Sequence, residues 1–71
     1  MYLTYETIDR MTAGEEFPFF FETDQHETAY IQPGFDGTDR YYGVTILQSN
    51  GWCRIKNYYK DGEVVETYRR S

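Results

Sequence analysis

Few residues of this 71-residue chain have side chains and spacings that could carry out chemistry. His26 and Cys53 are its one histidine and one cysteine, so a thiolate activated by an imidazole is the first arrangement to weigh. Cys53 lies inside "WCRIKNYY", a strand-like run. The predicted register turns its thiol toward the core, where a free cysteine acts as a small hydrophobe. His26 sits in the polar turn around Asp24 to His26. Both are therefore read as structural. Glu15 and Glu16 are adjacent, but neighbours on a polar loop point in different directions. They lack the apolar enclosure that separates two pKa values for acid and base work. "DGTD", residues 36–39, has two carboxylates and a glycine, without the third ligand or the terminal glutamate of a calcium loop. The expectation is a non-enzymatic chain with no catalytic residue, metal or cofactor.

Charge is more informative than any motif. The net charge is −5, yet residues 1–39 hold nine carboxylates against one cation, Arg10, while residues 40–71 hold six cations against three carboxylates. Solubility alone is served by acidic loops, but it does not require the two signs to be segregated. Glu22 and Asp24, read as alternate residues of one strand, would stand about 6.5 Å apart, a spacing on the scale of a nucleic-acid strand. Glu15, Glu16, Glu27, Asp36 and Asp39 would extend that track through the flanking loops. Such a track suits a lysine- and arginine-lined channel built for nucleic acid, and complementary charge speeds the encounter. Tyr30 and Phe35 are the expected aromatic anchors, since interface hot spots are commonly aromatic.

The elements that must position these residues follow from periodicity and turn chemistry. Thr4 is the expected cap of a short N-terminal helix, with Leu3 and Ile8 at staple positions and Gly14 at its end. A competing reading makes Tyr2 to Tyr5 a strand and begins the helix at Thr7. A helix of about nine residues is not stable alone, so it must lie on a sheet. "FPFFFET" sends Phe17, Phe19 and Phe21 to one face and Phe20 to the other, and Pro18 marks an edge or a strand start. "ETAYIQ" follows as a strand, and Pro33, Gly34 and Gly37 mark the longest loop. Asn50-Gly51 and Asp61-Gly62, read as two-residue turns, join "RYYGVTILQ", "WCRIKNYY" and "EVVETYRR" into a meander. They would pair Ile46 with Ile55, Tyr59 with Val64 and Ile55 with Tyr68. The fold class is α+β: a short helix on a four- to five-stranded antiparallel sheet ending in a three-strand meander, one domain over residues 1–71. A five-strand barrel is the alternative.

That register would place Tyr42, Val44, Ile46, Cys53, Ile55, Tyr59, Val64 and Tyr68 on the helix face. Trp52, Arg54, Lys56, Tyr58 and Arg69 would then form an aromatic and basic platform opposite, suited to stacking bases and tracking phosphates. The acidic balance and the absence of an RNA-binding sheet motif weigh against direct nucleic-acid binding. Long cations lying over aromatic rings are the plainer account.

Fourteen aromatics against nine branched aliphatics mean that several tyrosines must reach the surface. The N-terminus has no signal-like pattern and no segment is apolar enough to span a bilayer, so a soluble cytoplasmic protein is expected. A single cysteine fits a reducing compartment.

In size, acidity, exposed aromatics and lack of catalytic residues, the chain resembles small phage- and mobile-element-encoded inhibitors of host defence, anti-CRISPR proteins among them. The resemblance lies in overall profile and implies stoichiometric binding to a larger, basic nucleic-acid-handling complex. A homodimer joined through the Phe-rich edge strand is the remaining alternative. One residue separates scaffold from docking surface in "EEFPFFFETD": if Phe20 is exposed beside Glu22, that strand belongs to the surface.

Overall fold

A computed structural model describes residues 3–70. Helix α1, Tyr5–Met11, starts at Thr4, whose hydroxyl accepts the Thr7 amide at 3.2 Å while the Thr7 hydroxyl accepts the Thr4 amide at 2.7 Å. This reciprocal cap uses threonine where glutamate is usual, and it excludes the reading that begins the helix at Thr7. Tyr2, the start of that alternative strand, lies outside the described residues. The helix stops at Met11 because the C-cap Thr12 leaves helical backbone at ψ 5, and its hydroxyl joins its amide on the Ile8 carbonyl. Gly14, at φ 77, lies in the turn that follows.

Five strands follow: β1 Phe19–Glu22, β2 Thr28–Asp36, β3 Asp39–Leu47, β4 Trp52–Tyr59 and β5 Val64–Arg70. All are antiparallel, and their order across the sheet is their order in the chain. The whole sheet is thus a meander, and the α+β expectation is met. Ile8 reaches down from α1 into Ala29, Ile31, Tyr42, Val44, Ile46 and Tyr58, with Leu3, Phe19 and Phe21 at the margin.

Two expectations are corrected. The loop expected from Pro33 to Asp39 is strand: β2 runs through Pro33 and Gly34 to a two-residue turn, Gly37-Thr38, closed by Asp36 and Asp39. Gly37, at φ 65, supplies the positive φ of a type II′ hairpin. Proline is tolerated because β1 pairs with β2 only as far as Ile31, so Pro33 occupies a stretch whose other side is an edge. Gly34 lies under the Tyr41 ring, where a Cβ would stand 2.5 Å from the ring carbon Cζ. Any larger residue here requires the Tyr41 ring to move aside.

The second correction concerns register. The Tyr59 amide donates to the Glu63 carbonyl and the Gln48 amide to the Trp52 carbonyl, so both turns contain three residues, Ser49-Asn50-Gly51 and Lys60-Asp61-Gly62. Only the glycines have positive φ, 86 and 98. The Asn50 and Asp61 side chains accept the amides two residues on. That is a type I turn with a glycine bulge rather than a type I′ turn, which would need positive φ at both central residues. One extra turn residue shifts the register by one: Ile46 pairs with Arg54, Ile55 with Thr67 and Tyr58 with Val64. Strand β4 therefore turns over relative to expectation. Arg54, Lys56 and Tyr58 lie on the helix face, and Cys53, Ile55 and Tyr59 on the outer face. The second shift cancels the first at β5, so Val64 and Tyr68 lie on the helix face as expected.

Candidate functional site

Because strand order copies chain order, the charge segregation of the sequence becomes a gradient across the sheet. The acidic edge is β1 with the β1–β2 turn, carrying Glu22, Asp24 and Glu27. The opposite edge is β5, ending in Arg69 and Arg70. Four inter-strand spacings, about 19 Å, separate the two edges.

At the acidic edge Phe20 is 61% exposed, its ring 5.4 Å from that of Tyr30 on the paired position of β2. Glu22 and Thr28 continue the same outer face, and Glu22 accepts a contact from His26 Nδ1 at 3.1 Å. His26 takes φ 62, which turns the chain back from β1 to β2. Phe19 and Phe21, on the other face, are half-buried against the core, whereas Phe17 precedes the strand and is exposed. Phe20 is not among the anchors expected from sequence. Its signal was the alternation that set it beside Glu22.

The structure divides the expected contact set. Glu22, Asp24, Glu27 and Tyr30 gather around the β1–β2 turn. Asp36, Asp39 and Phe35 lie at the far end of β2, eight residues or about 27 Å along the strand from Thr28. Glu15 and Glu16 belong to the segment that enters β1 from that far end. A single continuous acidic track is therefore not formed. Strand β1 also ends at Glu22, so Asp24 sits in a turn and the strand spacing expected between these two carboxylates does not apply. At the far end Phe35 is exposed with the Arg40 guanidinium 5.9 Å from its ring centre, and Asp36 accepts the Tyr59 hydroxyl at 3.4 Å.

The aromatic and basic platform is redrawn by the overturned β4. Trp52, Arg54, Lys56 and Tyr58 do share a face, but it is the helix face, and Arg69 is on the other. Tyr58 is buried in the core. Beyond the reach of the helix, Arg70 lies 5.4 Å from the centre of the Trp52 ring, Arg54 is paired in register with Tyr68, and Lys56 Nζ is 3.7 Å from Glu66. The Tyr68 hydroxyl donates to Glu66 at 2.7 Å. That bond, followed by Lys56 and Arg54, holds the Glu66 carboxyl below its usual range against the opposing effect of partial burial. Glu66 thus places negative charge inside the patch that a phosphate would need.

Cys53 is buried at 3% exposure, yet on the outer face beside Leu47 rather than on the core face. The Tyr42 phenol is pushed upward, first by burial and then by its hydrogen bond to Asp9 at 2.5 Å. Among the described residues no group of three or more His, Cys, Asp or Glu side chains could hold a metal ion, and no helix is long and apolar enough to cross a membrane. Comparison with protein-family models, curated proteins and solved structures returns no match, and the site stands on its own geometry.

Proposed function

We propose that the chain is a non-enzymatic inhibitor. It docks its acidic, aromatic β1–β2 edge into a basic nucleic-acid-binding site on a larger partner, such as a CRISPR effector complex. The observation that carries the reading is Phe20, exposed on an edge strand, in tilted ring contact with Tyr30 and followed in the same hairpin by Glu22, Asp24 and Glu27. An aromatic pair supplies a desolvated centre and a charged rim supplies orientation, the anatomy of a protein interface. Asp36, Asp39 and Phe35 form a second acidic and aromatic patch at the other end of β2.

The test is displacement of fluorescent target DNA from purified CRISPR effector complexes of several types. The wild-type chain releases DNA from at least one of them. Phe20→Ala, or Glu22→Lys with Glu27→Lys, weakens release by tenfold or more, roughly the 1.4 kcal/mol or more that a hot-spot side chain carries. No release from any complex, or release unaffected by these variants, counts against the reading.

A second reading has one observation in its favour, the Arg70 and Trp52 pair on the uncovered part of the helix face. It makes the chain a nucleic-acid binder. Salt-dependent quenching of Trp52 fluorescence by single-stranded oligonucleotides would establish that class instead.

A further inference from the structure

The two edges of the sheet are unequally defended. Strand β1 has four residues, is preceded by Pro18 and ends in a carboxylate, all features that discourage pairing. Strand β5 has seven residues, every one exposed, and contains no proline, no lysine and no bulge in its ladder with β4. Because the Glu63 carbonyl accepts the Tyr59 amide, alternation directs the backbone groups of Val65, Thr67 and Arg69 toward β4. Those of Val64, Glu66, Tyr68 and Arg70 point outward.

We infer that β5 pairs with β5 of a second copy of this chain, antiparallel across a two-fold axis at Thr67, to form one ten-stranded sheet. A two-fold axis normal to the sheet requires a residue to face itself, and the registers that overlap most of this strand centre on Glu66, Thr67 or Tyr68. Centring on Glu66 sets two carboxylates opposite each other and leaves Arg70 unpaired. Centring on Tyr68 leaves Val64 unpaired. Centring on Thr67 pairs all four outward residues of each strand, Val64 with Arg70 and Glu66 with Tyr68, for roughly eight inter-chain hydrogen bonds.

The same register is electrostatically and sterically self-complementary. The arginines of the two copies lie at opposite ends of the new ladder, so they do not meet, and the two Glu66 carboxylates are diagonal rather than directly opposed. The aliphatic stem of Arg69 covers Val65 of the partner, and Arg70, its guanidinium over Trp52 of its own chain, stands directly opposite the partner's Val64. Glu66 faces the Tyr68 of the other chain, which can donate to it in place of its own Tyr68, with Arg70 of the partner on the diagonal. The dimer goes beyond the proposed inhibitor reading and does not depend on it. It would leave both Phe20 and Tyr30 surfaces open at the outer ends of the sheet, where two-point attachment raises avidity.

Sedimentation equilibrium of the full chain at about 100 µM, above the micromolar Kd that a modest interface supports, should give twice the 8.5 kDa chain mass. Glu66→Pro removes an outward amide and the exposed Lys56 ion pair but spares every backbone hydrogen bond to β4, so it should sediment as a folded monomer with the circular dichroism of the wild type. The register has its own test in a Cys53→Ala background. At the central non-hydrogen-bonded pair the two Cα atoms stand about 4.5 Å apart, within disulfide reach. Thr67→Cys should therefore oxidise to a covalent dimer, whereas Val65→Cys should not. A wild-type monomer at this concentration, an open-ended polymer, or cross-linking at Val65→Cys in preference to Thr67→Cys would each overturn the proposal.

Discussion

The two edges of this sheet show how one backbone pattern serves two purposes. At β1 the edge is short, next to the helix-covered core and acidic, and its exposed side chain, Phe20, is the feature on offer. At β5 the edge is long, uncovered and basic, and the backbone itself is on offer. The difference comes from the helix. Ile8 seals β2 and β3, with Phe19 and Phe21 of β1 at the margin, and nothing from α1 extends to β5.

The comparison can be broken most severely at Ile8, which has no exposed surface. Ile8→Ala should cost about 2–5 kcal/mol, a large share of the roughly 4–10 kcal/mol available to a domain of this length. Urea titration followed by Trp52 fluorescence should show the midpoint collapsing. Val65→Ala on β5 should cost under about 1 kcal/mol in the same assay. Equal costs would mean that the two edges depend on the core alike.

Tyr42→Phe comes next. It removes the hydroxyl from Asp9 but keeps the ring against Tyr5, so a loss of about 1–3 kcal/mol is expected. The phenol is held above its ordinary value near 10. Its contribution is therefore complete below that value and is lost as pH rises through the higher folded one. Alkaline unfolding should be less steep in Tyr42→Phe than in the wild type. Phe20→Ala should sharpen the contrast from the other side, changing stability by under about 1 kcal/mol while weakening the proposed docking by about tenfold or more.

The smallest effect belongs to β5. Glu66 has its carboxyl lowered chiefly by Tyr68, so what it adds is present above the usual carboxylate range and fades as pH falls through the lower folded value. Thermal melts between about pH 7 and pH 3 should show Glu66→Gln losing less stability on acidification than the wild type. The difference should be modest, because the group is exposed.

Much of the fold was legible because it is local. The Thr4 cap, the Phe19, Phe20 and Phe21 alternation and the two Gly-containing turns each announce themselves within a few residues. What was not legible turned on single residues with long-range consequences. Asn50-Gly51 and Asp61-Gly62 suit turns of two or three residues, and the choice depends on whether the Asn or Asp takes positive φ or instead accepts an amide. That choice overturned β4, moved Trp52, Arg54, Lys56 and Tyr58 together to the helix face and parted them from Arg69, so the platform expected on the outer face is not formed. Pro33 and Gly34 read as a loop because the signal that excuses them, the early end of β1, belongs to another strand. The acidic residues were identified correctly as a charge asymmetry, but a strand of nine residues set between them decides that they form two patches.

A sheet whose strand order is its chain order also has a direction in time. Each strand after β1 has its partner waiting when it leaves the ribosome, so pairing within the sheet is local and quick, while α1 waits for β3 and β4 to complete the core around Ile8. Of the five strands, the unprotected edge is the last to be made. By the time β5 can present a bare row of amides and carbonyls, the four strands and the helix that fix its geometry are already available, and the nascent chain is least exposed to mispairing where its finished form is most open.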